Sequence, residues 1–559
     1  MNAAWICLGS LILFGLSYRF YSRYLSVKLF NLENETTPTP AVEFQDGIDY
    51  TPTKKSVLVG HHFSSIAGAA PIVGPAIAII WGWVPAILWI VLGVIFMGAA
   101  HDFGALVLSM KNKGQSLAVV AENLIGPRAK ALFLTLIFFL VWMVIAVFAL
   151  VIANLFISFP ATVVPVNFEI IVALLMGYFI NRKGKSLTIP SIIAFFSLLV
   201  MIYIGTLYPI SLKEFVGIEN ELMVWILFLL IYSAVACILP VWSLLQPRDY
   251  INSHQLFVGL ILMIAGLFVL SPKMVAPALQ LNAPGAPPWF PFLFITIACG
   301  AISGFHGLVS GGTSSKQVAT WQDARAVGYG SMLAEGVLAL LATLAVGAGF
   351  KTTAAWHMHY SSWQAADGLN AKISAFVLGS AEFVGALGIP KDLAETVIAV
   401  MIISFAATSL DTACRIQRYI ISEVGEATKL PILQNRFTGS FLAVVSAFLL
   451  MITTEGGRGG LSIWPLFGAT NQMLAGLILL VITIHLYEKR KPVLPFALPA
   501  LIVIIITTIG LYFNYLSFSR TQNTFLSILA VVFSLAQVWV VIEAALKFIK
   551  IAKAKKMAI

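Results

Sequence analysis

Residues 60–79, GHHFSSIAGAAPIVGPAIAI, read as a membrane-spanning helix that is interrupted near its middle. The stretch is apolar enough to enter a bilayer, yet it carries Gly68, Pro71, Gly74 and Pro75 close together. In hydrocarbon an unpaired backbone N–H or C=O costs several kcal/mol, so a broken helix persists only where it is buried in protein or lines a cavity. The interruption therefore predicts a polytopic membrane protein with a site at the break.

A second interruption is predicted at 238–250, ILPVWSLLQPRDY, where Pro240 and Pro247 flank a short polar-containing segment. Paired interruptions in the two halves of a polytopic chain indicate the central site of a secondary transporter. We therefore expect the segments at 60–81 and 223–245 to be equivalent broken helices that together form the transport site.

The composition excludes a soluble globular protein. Hydrophobic residues make up 59% of the 559-residue chain and charged residues only 10%, against about 25% charged in soluble domains. Apolar runs of spanning length recur from end to end, and we count fifteen. The net charge of +10 is carried by short loops between these runs, which excludes a nucleic-acid-binding surface. The four cysteines form no CxxC pair, which excludes a thiolate zinc site.

The distribution of basic residues predicts the orientation of the chain. If successive spans cross the membrane in alternating directions, 27 of the 34 Lys and Arg residues lie on one side of the membrane. The positive-inside rule makes that side cytoplasmic. The N-terminus is then outside and the C-terminus inside, with the loop at 182–186 inside and that at 454–461 outside. The acidic segment 31–53 is predicted to be a cytoplasmic linker, and 373–389 a re-entrant or surface helix rather than a span.

Several long motifs resemble those of one known family. They are GHHFSSIAGAAPIVGPAIAIIWGWVPAILW, GAAHDFGALVLSMKNKGQS, LPVWSLLQPRDYINS, SGFHGLVSGGTSSKQ, SLDTACRIQRYIISE and WPLFGATNQMLAG. In this order, and over nearly the whole chain, they resemble the carbon starvation protein A (CstA) family. The resemblance implies a multi-pass protein of the bacterial cytoplasmic membrane that takes up peptides when carbon is short, or pyruvate together with protons.

The resemblance also implies an all-α transporter core of two inverted five-helix repeats, the LeuT/APC type. The span count agrees, because the first five spans after the N-terminal one and the next five have opposite topology. We expect three regions: a peripheral helix and linker at 1–58, the transport core at 59–415, and additional transmembrane helices at 416–559.

The two interruptions supply the predicted substrate-binding residues. At the first break, freed N–H groups and the positive end of a half-helix suit a carboxylate, although small residues there could simply permit close helix packing. At the second, Gln246 offers an amide and Trp242 an apolar wall. The predicted substrate set is Ser64, Ser65, Gly68, Ala69, Pro71, Pro240, Trp242 and Gln246.

A glycine- and hydroxyl-rich segment, SGFHGLVSGGTSSKQ, supplies the predicted ion-coupling site. Hydroxyl and carbonyl oxygens suit a hard cation, and a histidine within the membrane suits a proton relay; a tightly packed loop with a satisfied histidine is the alternative. Glu335, deep in a span with no partner nearby in sequence, is a second proton carrier. The predicted coupling set is His306, Ser310, Thr313, Ser314 and Glu335.

Three histidines and a carboxylate form a candidate metal site. His61 and His62 begin one span, and His101 with Asp102 reach the same depth in the next. Such a set could bind a divalent metal or pass protons, or hydrogen bonds between the two helices could explain it. No other cofactor is predicted, and Asp411 is expected to pair with Arg415 one turn later.

Three function classes remain at this point. The first is a secondary importer of small carboxylates, peptides or pyruvate, coupled to H⁺ or Na⁺ and not an enzyme. The second is a membrane metalloenzyme built on the histidines, against which the absence of an HExxH motif argues. The third is a channel, which broken helices in inverted repeats disfavour.

Overall fold

The computed structural model describes residues 1–183, 188–366, 368–452 and 463–557. Within these ranges the chain is helical, and the only β-contacts are two isolated bridges. Two predicted loops, 182–186 and 454–461, lie wholly or largely outside the described residues. The spans of the first half are α1 Ala3–Leu29, α2a Lys55–Ala67, α2b Ala70–Trp81, α3 Trp83–Lys111, α4 Pro127–Ser158, α5 Val163–Lys183, α6 Thr188–Leu207, α7 Glu221–Ile238 and α8 Leu245–Leu270.

The second half begins with another broken helix. Its outer pieces Trp289–Thr296 and Ala298–Ala301 form α9a, and Gly304–Gly312 forms α9b. The following spans are α10 Trp321–Ala348, α11 Lys391–Ala427, α12 Arg436–Met451, α13 Trp464–Glu488, α14 Leu494–Arg520 and α15 Thr524–Met557. Twelve helices of the described chain are long and apolar enough to cross a membrane, and the bent pair α2a and α2b makes thirteen. The predicted fifteen is reached only by adding the broken helix α9 and the shorter apolar helix α12, so the predicted count is approximate.

The predicted surface helix is present as Leu369–Gly385, which is not among the membrane-length helices of the described chain. It is largely buried, because it packs against α2b, α8, α10 and α11. It therefore caps one end of the bundle.

Packing places the two broken helices at the centre. The long helices α4 and α11 lie against each other, and α2a packs on α8 and α11. The half-helix α2b packs on α9a and α10, while α9b packs on α3 and α13. The interruptions are thus enclosed by other helices, which is the condition under which a bilayer tolerates them.

The linker at 31–53 folds back across one end of the bundle, here called the linker end. Thr51 N donates to Lys316 O at 3.1 Å and Thr53 N to Gln317 O at 3.0 Å, just after α9b. The Trp321 indole donates to Thr37 O at 2.7 Å. The opposite end carries the Leu369–Gly385 helix. Different segments therefore lie at the two ends of the bundle.

Candidate functional site

The break in α2 lies at Gly68 and Ala69, as the sequence predicts, and bends the helix by 45°. Gly68 has φ +27°, and a Cβ there would lie 3.0 Å from Phe148 and 3.1 Å from the Ser409 hydroxyl. A larger residue is thus excluded by both backbone and space. Ser409 Oγ donates to Ser65 O at 2.9 Å, so a hydroxyl of α11 satisfies a carbonyl beside the break.

The second break lies at Ile302 and Ser303, where both residues have extended backbone. Asn471 of α13 holds it open, because its Oδ1 accepts from Phe305 N at 2.8 Å and its amide donates to Ser303 Oγ at 3.0 Å. Sequence reasoning missed Asn471, although it stands in the WPLFGATNQMLAG motif. A buried asparagine within a span is the signal that could have found it.

The expected break within a span at 238–250 is wrong. Helix α7 ends at Ile238 and α8 begins at Leu245, and each is long enough to span, so the prolines mark a turn between two spans. The Trp242 indole donates to Gly47 O at 3.1 Å, and Gln246 Nε2 donates to Thr53 Oγ1 at 2.9 Å. Pro240, Trp242 and Gln246 therefore lie at the linker end and are not brought to the two breaks.

The two real breaks lie side by side. A Cβ on Gly300 would lie 3.7 Å from Pro71, and a Cβ on Gly74 would lie 2.2 Å from Thr296 O. The backbones of α2b and α9a therefore approach more closely than any residue other than glycine permits. Of the predicted substrate residues, those of the first break are thus placed at a junction of two interrupted helices.

A cavity of about 960 Å³ opens at the opposite end and reaches this junction. Ala70 and Cys299 line it, and each lies within three residues of a break. Its walls are mainly apolar and aromatic, and the lining includes two cations, Lys372 and Arg520, but no Asp or Glu among the described residues. Lys372 is only 6% exposed, and its ammonium lies 5.8 Å from the Trp464 ring centroid.

His306 links two buried acids from two other helices. Its Nδ1 lies 3.2 Å from Asp102 Oδ2 and its Nε2 lies 3.3 Å from Glu335 Oε2. His101 Nδ1 contacts the other Asp102 oxygen at 2.7 Å. The structure thus brings together the two predicted proton carriers, His306 and Glu335, and adds Asp102 from the candidate metal set. Glu335 has the partner that its local sequence lacks.

The predicted pairing between the two histidine-containing helices is not formed. His61 Nδ1 contacts Asp249 Oδ2 at 2.5 Å, and His62 Nδ1 contacts Ser314 Oγ at 2.7 Å. Within the described ranges no group of three or more His, Cys, Asp and Glu side chains is placed to hold one metal ion. These contacts give the histidines structural partners, and metal binding stays a prediction.

The remaining predicted coupling residues lie along and just beyond α9b. Thr313 Oγ1 donates to Val309 O at 2.9 Å, whereas Ser310 Oγ is buried with no hydrogen-bond partner among the described residues. Ser314 Oγ is hydrogen-bonded to His62 Nδ1. Of these three hydroxyls, that of Ser310 is therefore the one without a hydrogen-bond partner within the described part of the chain.

A second charged cluster, unpredicted from the sequence, joins α7, α8 and α11. Arg248 Nη1 pairs with Asp411, which also accepts from Ser233 Oγ at 2.9 Å and Tyr232 Oη at 3.1 Å. The expected pair of Asp411 with Arg415 is wrong. Sequence spacing favours partners on the same helix, whereas the partner here is 163 residues away.

Arg415 belongs instead to a clamp at the linker end. Asp49 Oδ1 accepts from Arg415 Nη1 at 3.0 Å and from Tyr419 Oη at 2.6 Å, and Arg418 Nη2 lies 3.7 Å away. Burial alone would raise the pKa of Asp49, but Arg415, Tyr419, Lys316 and Arg418 together hold that pKa below its ordinary value. The carboxylate is therefore ionised at neutral pH and ties the linker to α11.

Comparison with known proteins identifies the family to which this chain belongs. The family model described as "Carbon starvation protein CstA" matches residues 2–361 and 350–510. The "Peptide transporter CstA" of Bacillus subtilis (strain 168) is 31% identical, covering 94% of this chain and 92% of that protein. The "Pyruvate/proton symporter BtsT" of Escherichia coli (strain K12) is 32% identical, covering 88% of this chain and 78% of that protein.

A solved structure shows the same fold. The crystal structure of MhsT in complex with L-phenylalanine aligns with a TM-score of 0.50 and 12% identity, covering 82% of this chain and 99% of that chain. MhsT is a transporter of the LeuT fold, so the predicted fold class is confirmed. The relatives and this neighbour are transporters, which agrees with the prediction that the chain is not an enzyme.

Proposed function

Because the chain belongs to the CstA family, we propose that it imports small carboxylates, peptides or pyruvate, by proton-coupled alternating access in the bacterial cytoplasmic membrane. One observation carries the proposal: the cavity of about 960 Å³ ends at the paired helix breaks and has cationic but no anionic side chains in its described lining. Apolar walls with a few placed polar groups are typical of small-molecule sites. A carboxylate fits this lining, because the Arg520 guanidinium would attract it.

The breaks supply the second half of a carboxylate site. The N-terminus of α2b begins at Ala70, beside the cavity, and carries the positive end of its helix dipole. Ser64 and Ser65 lie on the other side of the break and are tied to α8 and α11. The substrate carboxylate would therefore sit near Gly68 and Ala69, at the inner end of the cavity. Peptide and pyruvate both carry this group.

The closure of one end of the bundle supports alternating access. The cavity opens at the end away from the linker, while Asp49 and its partners close the linker end. Positive-inside topology makes the linker end cytoplasmic, so this arrangement corresponds to an outward-facing state. Opening inward would require the clamp at Asp49 to release.

The order of helices supports two inverted repeats with a shifted boundary. Helices α2, α3, α4, α7 and α8 correspond to α9 to α13, since each series starts with a broken helix and has its long helix third. The hairpin α5–α6 is then an insertion, and α9, not the 223–245 segment, is the counterpart of α2. The core would run from about 55 to 488 rather than from 59 to 415.

Protons would enter through the His306 triad. His306 and Glu335 lie on α9b and α10, and Asp102 on α3, so the triad joins helices from both repeats. A proton on His306 would be shared with both acids, and its departure would leave two carboxylates without that cation. A monoanion imported with one proton moves no net charge, so the pH gradient alone would drive it. A zwitterionic peptide imported with one proton would also use the voltage, which is worth about 2.3 kcal/mol per 100 mV, or roughly fifty-fold accumulation at 1.4 kcal/mol per decade.

Uptake into proteoliposomes tests the proposal. Labelled pyruvate, lactate and dipeptides identify the substrate by counterflow, which an open channel does not show. A pH gradient with the outside acidic and a membrane voltage are then imposed separately. We expect the pH gradient to drive accumulation and His306→Gln to reduce it at least tenfold, while His254→Gln, outside both described clusters, leaves it unchanged.

Two results would redirect the proposal. Accumulation driven only by a sodium gradient would move the coupling site to Ser310 and Thr313, whose hydroxyls suit a hard cation. Absence of counterflow for every carboxylate would refute the importer and leave the metal-dependent enzyme as the alternative to test.

A further inference from the structure

Glu169 is a buried acid in the inserted hairpin, remote in sequence from every predicted site residue. It is 2% exposed and lies on α5, where its Oε2 accepts from Ser404 Oγ of α11 at 2.9 Å. Arg248 and Asn252 of α8 lie beside it, both buried. A carboxyl group within a membrane span is expensive to bury, which marks it as functional.

A small cavity with mainly apolar walls lies among these side chains. Its volume is about 20 Å³, and Glu169, Arg248, Asn252 and Ser404 are among its lining residues. Three side-chain atoms of the lining, Glu169 Oε1, Asn252 Oδ1 and Arg248 Nε, make no hydrogen bond of normal geometry with any described residue. A cavity of this size holds one water molecule if two to four polar partners are present. The volume fits one water molecule, and the three unpaired atoms belong to residues that line the cavity.

The three atoms suit water better than a metal cation. Two of them, on Glu169 and Asn252, accept hydrogen bonds, and the third, on Arg248, donates. A water molecule accepts from Arg248 Nε–H and donates to the two oxygens, whereas Na⁺ in the same place would face the like charge of the guanidinium. If Glu169 is protonated, its O–H donates to the same water, which still donates to Asn252. One water therefore serves both protonation states.

The charges around the cavity do not balance when every acid is ionised. The cluster holds three carboxylates, Glu169, Asp249 and Asp411, but its cations are Arg248 and, when protonated, His61. The other titratable group facing it is Tyr232 of α7, which bonds Asp411. With His61 protonated, the three carboxylates exceed the two cations by one charge, so the cluster is neutral when it holds one further proton. An uncompensated buried charge costs several kcal/mol, which favours the neutral form. Glu169 is the only one of the three acids with no ion pair in the described chain.

We propose that Glu169, Asn252 and Arg248 bind one water molecule and that Glu169 is a second proton-binding residue of the transport cycle. The proposal rests on proton-coupled import. Loading Glu169 neutralises the cluster that joins α5, α7, α8 and α11, and releasing the proton leaves Arg248 shared among the acids. Protonation of Glu169 thereby changes how tightly α8 is held against α11.

The test compares Glu169→Gln with Glu395→Gln in proteoliposomes. Glu395 lies on α11 as well, but it is partly exposed and pairs with Lys391, so its loss is the matched control. We expect pH-gradient-driven accumulation to fall at least tenfold in Glu169→Gln and to stay at the wild-type level in Glu395→Gln. Wild-type accumulation in a monodisperse Glu169→Gln protein would overturn the proposal.

A transport-independent readout separates this proposal from proton coupling as a whole. Infrared difference spectra between acidic and alkaline buffers should contain a protonated-carboxyl band that Glu169→Gln removes and Glu395→Gln keeps. Loss of pH-driven accumulation in the wild type would refute proton coupling, while the band would still decide the assignment of Glu169. Should Glu169→Gln not fold, Ser404→Ala should shift the pH midpoint of the band; an unmoved midpoint counts against Glu169.

Discussion

The buried pair of Arg248 and Asp411 gives the largest predicted effect on stability. Arg248 is 2% exposed, pairs with Asp411 through Nη1, and donates from Nη2 to Thr408 Oγ1 at 3.1 Å. Arg248→Met keeps most of the side-chain volume but removes the cation. Because this leaves buried carboxylates uncompensated, we expect the free energy of unfolding to fall by about 3–5 kcal/mol.

Lys391→Met is the matched control. Lys391 and Glu395 also pair on α11, at 3.6 Å, but the lysine is 64% exposed. An exposed i,i+4 pair contributes about 0.3–0.5 kcal/mol, so the control should differ little from wild type. The comparison isolates burial, since both substitutions remove one cation from an ion pair.

Thiol accessibility during heating in detergent measures the effect. Cys237 and Cys414 are buried, so in a Cys299→Ser background a maleimide dye reacts with them only on unfolding. Arg248→Met should unfold well below the control, and the double variant Arg248→Met/Asp411→Leu should recover part of the loss, because it removes both charges. Equal unfolding temperatures for Arg248→Met and Lys391→Met would refute the reasoning.

Three further outcomes follow from the geometry. Asp49→Asn should speed amide hydrogen exchange at 46–53 about ten- to a hundred-fold, since a charged hydrogen bond contributes about 1.5–3 kcal/mol. Because the pKa of Asp49 is lowered, the wild-type clamp is fully present above the unfolded pKa and is lost only as pH falls through the lowered value, so the protection factors at neutral and mildly alkaline pH, corrected for base-catalysed intrinsic exchange, should agree. Gly74→Ala should abolish transport or folding, because its Cβ would lie 2.2 Å from Thr296 O; normal uptake would contradict this packing. Purified protein should carry near-stoichiometric metal that is lost in His62→Ala and His101→Ala if those side chains are ligands, and metal-free protein with full transport leaves only their hydrogen bonds.

The features predicted correctly from the sequence are those with a local cause. Gly68 and Pro71 interrupt α2 within their own turn, so the first break could be located to a few residues. The break at Ile302 and Ser303 depends on Asn471, which is distant in sequence. Pro240 and Pro247 predicted a break more strongly than the sequence around Ile302 did, yet they lie at a turn between two spans. Tertiary contacts therefore decided which interruption lies within the bilayer.

The partners of the charged residues also depend on tertiary contacts and could not be predicted from local spacing. Local spacing paired Asp411 with Arg415 on one helix, whereas folding pairs them with Arg248 and Asp49. The sequence indicates His306 and Glu335 separately, as ionisable residues within spans. In the structure His306 Nε2 lies 3.3 Å from Glu335 Oε2. Residue type therefore indicated candidate ionisable groups within the spans, while the chain fold determined their partners.

The claim that small carboxylates enter through the cavity at the paired breaks is tested most directly on Cys299. This native cysteine lines the cavity and is the only one of the four that is not fully buried. A membrane-impermeant methanethiosulfonate reagent should modify it from outside, and transported pyruvate or dipeptide should slow the modification in proportion to its affinity. A modification rate unchanged by any carboxylate that the protein demonstrably transports would contradict the assignment of the cavity as the entry route.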